Sequence, residues 1–162
     1  MIFSNFTKTI YDMEAIISEL RTLADEYLHL LNAVPKDKML HKPSPSKWSK
    51  KEITGHLIDS AQNNIRRFIV GQYEEEPHIM YQQDSWVALT NYQDYDIADL
   101  INLWYLLNKH ICHILENIPP GNAQRKCRTD ELHTIEWLAA DYIKHTKHHL
   151  HQVLDLEPVA HP

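Results

Sequence analysis

Residues 134–156 read TIEWLAADYIKHTKHHLHQVLDL, and this stretch decides the fold. Its apolar and ring-bearing positions recur three and four residues apart, a spacing that places side chains on one face of a helix. These positions are Ile135, Leu138, Tyr142, His145, His149, Gln152 and Leu156. The stretch therefore predicts a long amphipathic helix that ends before Pro158 and carries two histidines on its apolar face.

Three other segments, residues 13–34, 53–69 and 97–118, have the same helical spacing. Each is followed closely by proline or glycine, which end helices. Ser49 and Glu52 precede the second segment and fit a capping box, in which each side chain accepts a hydrogen bond from a free backbone N–H group. Four amphipathic helices predict an all-α four-helix bundle, with a long connection between its second and third helices.

Composition limits the classes of function. The chain has 162 residues and a formal net charge of -6, so we expect a single domain over 1–162 and no nucleic-acid partner. No apolar stretch approaches the ~20 residues of a membrane span, and residues 1–15 lack the pattern of a signal peptide. Cys112 and Cys127 form no disulfide framework. These features predict a cytoplasmic protein with reduced thiols.

The strongest chemical signal is the pair His145 and His149, which lie four residues apart and so one helical turn apart on the same face. Two imidazoles in this arrangement can bind a single metal ion. The alternative is that both are hydrogen-bonded core or surface residues. His148 lies at the edge of the face and His151 points further away. No glutamate stands between the pair, which disfavours a protease of the H-E-x-x-H type.

A third ligand has to come from another helix, and the segment GHLIDSAQNNIRRF offers one. Its polar stripe is formed by His56, Asp59, Asn63 and Arg67. With the pair on the fourth helix, His56 completes a set of three imidazoles, and three protein ligands with an open position are typical of catalytic zinc. An ordinary solvated face is the alternative interpretation of the stripe.

Several other residues are candidates for supporting roles. Asp59 and Asp141 lie about one turn from candidate ligands, and either could accept an imidazole N–H group and fix its tautomer. Arg67 could bind a substrate carboxylate or be a surface cation. Gly55 costs a helix about 1 kcal/mol relative to alanine, which suggests close packing or access at that point. The long connection contributes Gln83, Asp84 and Trp86, which could close over a pocket.

The stretches WSKKEITGHLIDS (48–60) and HTKHH (145–149), together with the order of the helices, resemble the DinB-like (YfiT/DinB) superfamily of metal-binding four-helix proteins. The resemblance implies a bundle with a long crossing connection, often dimeric. It also implies that His56, His145 and His149 bind one divalent ion, commonly zinc or nickel. Members include bacillithiol S-transferases, a mycothiol-dependent isomerase and proteins described as metal-dependent hydrolases.

Three functions follow as hypotheses, each with a small-molecule partner and a possible homodimer. The first is a thiol S-transferase that activates a low-molecular-weight thiol, with Arg67 orienting the carboxylate of the thiol. The second is a metal-dependent hydrolase with Asp59 or Asp84 as general base. The third is a non-catalytic bundle that binds a metal or a ligand. Asp59 and Arg67 are the predicted catalytic residues.

Overall fold

All four helices expected from the apolar spacing are present in a computed structural model that describes residues 12–160. Helices α1 to α6 are, in chain order, Met13–Asn32, Lys36–Leu40, Lys50–Val70, Gln83–Thr90, Ile97–Glu116 and Ile135–Leu154. The first eleven residues, on which the expectation of no signal peptide mainly rests, lie outside the described range. The long helices α1, α3, α5 and α6 form the bundle, so the predicted fold class is confirmed.

The two helices that carry the candidate ligands begin at caps that fix their first turns. Before α3, the Ser49 hydroxyl accepts from the Glu52 N–H at 3.1 Å, and the Glu52 carboxylate accepts from the Ser49 N–H at 2.7 Å. The predicted capping box is therefore confirmed. Before α6, the Thr134 hydroxyl accepts from the backbone N–H of Trp137. These caps satisfy backbone donors that would otherwise be free at each helix start.

Helices α1 and α3 each pack against both α5 and α6. The core lies between them, and its largest fully buried side chains include Leu20, Phe68, Trp104, Ile111 and Leu150. Because α3 and α6 are in direct contact, polar side chains on their facing surfaces meet inside the bundle. No helix in the described range is long and apolar enough to cross a membrane.

The connections hold more structure than the sequence predicts. The long connection contains α4 and a 3-10 turn at Tyr92–Asp94, and two short antiparallel strands, Lys126–Arg128 and Leu132–Thr134, precede α6. The first strand is tied to the long connection, because the N–H of Ile79 donates to the carbonyl of Arg128 at 2.9 Å. Such short elements have too few residues to show a periodic pattern. The hairpin thereby fixes the long connection beside α3 and α6.

Gly55 has the close packing that its place inside α3 suggests. A Cβ at this position would lie 2.2 Å from Cδ2 of Tyr92, far inside van der Waals contact. The tyrosine ring is 2% exposed and rests directly on the backbone of α3. Only glycine allows this approach, which brings the Tyr92 hydroxyl to the polar stripe of the helix.

We therefore expect Gly55→Ala to destabilise the fold by about 1–3 kcal/mol, the usual cost of overpacking, despite the better helix propensity of alanine. Urea denaturation measures the free energy of unfolding. Gln62→Ala, at an exposed position of the same helix, should stay within about 0.5 kcal/mol of the wild type. Equal stability of Gly55→Ala and the wild type would contradict the contact.

Candidate metal centre and adjoining cavity

Three imidazoles from two helices meet at the contact between α3 and α6. Nε2 of His56 lies 3.1 Å from Nε2 of His145. The ring centroid of His149 is 4.8 Å from that of His56 and 4.5 Å from that of His145. His56 is 1% exposed, and the ring of Trp48 lies 5.1 Å from it, centroid to centroid. The structure thus brings together the three residues that the sequence nominates as ligands.

The chemistry and spacing of this set fit one transition-metal ion. One nitrogen from each histidine can be chosen so that all three lie within 4.8 Å of one another. With metal–nitrogen bonds of about 2.0–2.1 Å, ligand nitrogens of a tetrahedral site lie roughly 3.4 Å apart, so small side-chain rotations suffice. Three neutral nitrogen donors suit zinc, nickel, copper or iron and do not suit magnesium or calcium.

A chain of three hydrogen bonds links His149 through Gln152 and His148 to the carbonyl of Val159, and the carbonyl fixes the direction of donation in each of them. The carbonyl of Val159 can only accept, so Nδ1 of His148, 2.8 Å away, is the donor. Nε2 of His148 then accepts from the Gln152 amide at 3.0 Å. The Gln152 oxygen lies 2.8 Å from Nδ1 of His149 and accepts a hydrogen bond from it. This chain places the proton of His149 on Nδ1 and its lone pair on Nε2, the nitrogen that can bind an ion.

His145 has a different neighbour. The hydroxyl of Ser60, one turn after His56 on α3, lies 3.4 Å from Nδ1 of His145. Asn64 donates to the backbone carbonyl of Ser60 at 2.9 Å and approaches its hydroxyl at 3.4 Å. Ser60 is not among the residues nominated from the sequence, although its place four residues after His56 is a usable signal.

Asp59 is buried on α3 and does not line the polar cavity beside His145. It is 1% exposed, and its Oδ1 accepts a 2.5 Å hydrogen bond from the Tyr92 hydroxyl. Its Oδ2 is buried and has no hydrogen-bond partner among residues 12–160. Burial raises the pKa of this carboxyl to about 6, and the hydrogen bond from Tyr92 offsets part of that rise.

A polar cavity of about 540 Å³ adjoins His145. Its wall includes Arg67 and Asp141 together with Ser60, Asn64, Tyr81, Gln83, Thr129, Asp130, Glu131, His133, Trp137, Leu138 and Tyr142. Asn64, on α3, was not nominated from the sequence, and neither were Tyr81 and the hairpin residues, which only the folded connections bring here. The cavity gives a small molecule access to the edge of the three-histidine cluster.

Arg67 is held in the cavity wall by protein acceptors. Its Nε and Nη2 donate to the carbonyl of Ile79 at 3.2 and 3.1 Å, and its Nη1 lies 3.4 Å from the Asn64 side-chain oxygen. Burial lowers the pKa of the guanidinium, while Tyr81 and Asp141 are among the groups that oppose this effect. A guanidinium remains charged at neutral pH. Arg67 is therefore a fixed cation beside the cavity.

The remaining nominated residues are placed differently. Gln83 lines the cavity, whereas Asp84 is exposed and Trp86 packs edge-on against Tyr81 at 5.4 Å between ring centroids. Asn63 is buried and donates to the backbone of its own helix. Both cysteines are buried, and burial raises the pKa of each thiol. Raised pKa values agree with the expectation of unreactive thiols.

The fold and the site together define a four-helix protein with a candidate three-histidine metal centre. The sequence profile of the DinB superfamily matches residues 19–153, which is most of the chain. The chain therefore belongs to the DinB superfamily, as its two quoted stretches suggest.

Three bacterial relatives carry names of one kind. The "Putative metal-dependent hydrolase OB0782" of Oceanobacillus iheyensis is 29% identical over 112 residues, 67% of this chain and 64% of that protein. The chain thus spans a little under two thirds of that relative. The "Putative metal-dependent hydrolase BH0277" of Halalkalibacterium halodurans is 26% identical, over 86% of this chain and 82% of that protein. The similarly named YfiT of Bacillus subtilis is 24% identical, over 82% and 83%.

A solved structure confirms the fold. YfiT from Bacillus subtilis, described as a probable metal-dependent hydrolase with an unusual four-helix bundle topology, superposes with a TM-score of 0.81 and 19% identity. The match covers 91% of this chain and 89% of that one. At this level of identity the comparison establishes the shared architecture.

Gln152 is expected to control metal affinity although its own position is exposed. Gln152→Ala removes the acceptor for Nδ1 of His149, so metal affinity should fall about 10–100-fold. Gln152→Glu keeps an acceptor and should retain the affinity. Competition with a chromogenic chelator measures both. Lys144→Ala, at an exposed position of the same helix, is the control. Unchanged affinity in Gln152→Ala would contradict the assigned role.

We expect the ionised carboxylate of Asp59 to lower the free energy of unfolding of the metal-free protein above pH 6. Its pKa in the folded state is about 6, above the ordinary value of 3.8, so the folded protein holds the proton more tightly. Ionisation therefore destabilises the fold progressively as pH rises from about 4 to about 6, by a total of about 2–3 kcal/mol.

Asp59→Asn avoids this ionisation and still offers an oxygen to Tyr92. The variant should be more stable than the wild type at pH 8 by about 2–3 kcal/mol, and the advantage should shrink to about a third at pH 4.5. Urea denaturation of the metal-free proteins at both pH values measures this difference. A variant that is no more stable than the wild type at pH 8 would refute the explanation.

Proposed function

We propose that this protein is a metal-dependent enzyme, in which His56, His145 and His149 hold one divalent transition-metal ion and a small substrate reacts in the adjoining cavity. The observation that carries the proposal is the meeting of three imidazoles beside a polar cavity with a fixed cation, Arg67. The names of the relatives support it, because all three refer to metal dependence. Zinc and nickel both suit the donor set.

The protein side of the centre is organised for this role. When bound, such an ion supplies Lewis acidity that brings the pKa of a water or thiol beside it into the neutral range. Gln152 holds the proton of His149 on Nδ1, and Ser60 lies at Nδ1 of His145. The contact with Gln152 favours the tautomer of His149 whose lone pair is on Nε2, the nitrogen that can face an ion. Trp48 covers the His56 ring and limits access of water from that side.

The cavity wall suits a substrate with an anionic group. The Arg67 guanidinium can donate to a carboxylate through its Nη1 group, which makes only a long contact of 3.4 Å with Asn64. Burial raises the pKa of Tyr81 to about 12, so its hydroxyl stays protonated at neutral pH and can donate a hydrogen bond. These two donors would position one end of a substrate while its reacting end points toward His145.

The first candidate reaction is transfer of a low-molecular-weight thiol, of the bacillithiol type, to an electrophilic carbon. A free thiol has a pKa near 8.5, so a neighbouring cation suffices to ionise it without a protein base. This suits a site whose nominated base, Asp59, is buried, accepts a hydrogen bond from Tyr92 and does not line the cavity. The sulfur–carbon bond forms as the leaving group departs with its electron pair, and the thiol proton passes to solvent.

Hydrolysis is the second candidate, and Asp141 favours it. This carboxylate lines the cavity one turn before His145 and is half-buried. It could accept a proton from an attacking water, as a general base does. The hydrolase names of the relatives point the same way.

One pair of assays separates the two reactions. The metal-loaded protein is given bacillithiol with monobromobimane, and separately a panel of esters and amides without thiol. We expect thiol-dependent conjugation that is lost in the metal-free protein. In Arg67→Met the KM for the thiol should rise about tenfold or more, because a charged hydrogen bond is lost.

Asp141→Asn is the discriminating variant. Thiol transfer should keep its rate within about threefold, whereas hydrolysis would fall about 100-fold or more if Asp141 is its base. Hydrolysis that needs no thiol and is lost in Asp141→Asn would replace the first candidate with the second. Inactivity of the metal-loaded protein in both assays would count against an enzyme of either class.

A further inference from the structure

A second cavity, of about 690 Å³, lies away from the three-histidine centre. It is formed where the end of α1, the short helix α2 and the first turn of α3 meet the start of α5. It shares no lining residue with the cavity beside His145. Any ligand of this cavity therefore occupies a site distinct from the candidate metal centre.

Lys51 places a buried cation in the wall of the second cavity. The residue is 3% exposed, and its ammonium donates one hydrogen bond, of 2.8 Å, to the carbonyl of Gln93. An ammonium carries three N–H donors, and no ion pair joins Lys51 to any residue in the described part of the chain. The charge also lies in the first turn of α3, where the helix dipole disfavours a cation. Burial lowers the pKa of Lys51, as expected for such a position.

Gln93 places an unused acceptor in the same wall. Its side-chain nitrogen donates to the carbonyl of Leu40 at 3.3 Å. Its Oε1 is buried and has no hydrogen-bond partner within residues 12–160. Buried polar atoms without partners are uncommon in folded proteins and call for an explanation. Lys51 thus keeps donors available in the wall, and it is held by a hydrogen bond to the backbone of Gln93, whose side-chain oxygen is buried.

The rest of the wall is mixed in charge and apolar over one part. The wall holds two carboxylates, Asp94 and Asp96, and two ammonium groups, Lys51 and Lys36, and the charge of Lys51 interacts with the other three. None of the ion pairs found between residues 12 and 160 joins these four groups, although Asp94 accepts a hydrogen bond from Asn91 and Asp96 caps the start of α5. The apolar part is supplied by Leu31, Val34, Leu40, Ile97, Ala98 and Ile101.

We propose that the second cavity binds a free amino acid with an apolar side chain. The carboxylate would pair with Lys51, and the α-ammonium would lie toward Asp94 and Asp96. The side chain would cover the apolar wall. A zwitterion can meet wall charges of both signs. A simple anion would pair only with the two ammonium groups, and a simple cation only with the two carboxylates.

The test uses the full metal-loaded chain and three probes of one shape. Leucine carries both charges, 4-methylpentanoate only the carboxylate, and 3-methylbutylamine only the ammonium. We expect leucine to bind at least about tenfold more tightly than either of the others in an NMR titration. Amide shifts should move at Ala98 and Ile101 and stay unchanged at Tyr81 and His145.

Matched lysine variants test the contact itself. Lys51→Met should weaken leucine binding about tenfold or more, because a charged hydrogen bond is lost. Lys47→Met, at an exposed position outside the cavity wall, should bind leucine as the wild type does.

Three results would overturn the proposal, and the first two need only the wild type. The absence of a saturable shift up to roughly 10 mM leucine, the weak limit of a specific site, would show that the cavity does not bind this amino acid. Equal binding of 4-methylpentanoate would exclude a zwitterion. A folded Lys51→Met protein with full affinity would show that this lysine only fastens the Gln93 backbone.

Discussion

The contact between α3 and α6 is the constraint on which the candidate site depends. It brings Nε2 of His56 to within 3.1 Å of Nε2 of His145, and one turn of α6 then adds His149. A shift of either helix by one residue would rotate its histidines by about 100° and separate them. The register of two helices therefore decides whether a three-imidazole centre exists.

Several local features fix that register. The capping box at Ser49 and the cap at Thr134 set where each helix begins. Gly55 lets the Tyr92 ring lie on the backbone of α3, which holds the long connection against the helix. Tyr92 in turn donates to Asp59, a buried carboxyl that is costly to ionise. A side chain that lowers stability in this way is often kept for function rather than for folding.

The sequence predicted the features that have a periodic or charged pattern. The spacing of apolar residues gave four helices, and the places of His56, His145 and His149 on two of them gave the cluster. It did not predict Tyr81 beside the site, because the position of this residue depends on how the hairpin holds the long connection. The sequence placed Gln152 on the helix face that carries His145 and His149. Only the structure shows that its side chain turns to His149 and accepts a hydrogen bond from it.

The most direct test of the account is the metal content of tag-free protein, measured by plasma mass spectrometry after reloading with zinc or nickel. We expect about one ion per chain in the wild type, since a three-imidazole set holds a single ion. The ion should be lost in His56→Ala, His145→Ala and His149→Ala and kept in His110→Ala, which changes an exposed histidine of α5. A wild-type protein that takes up no metal would contradict the account, because the three imidazoles would then serve the packing of α3 against α6 alone.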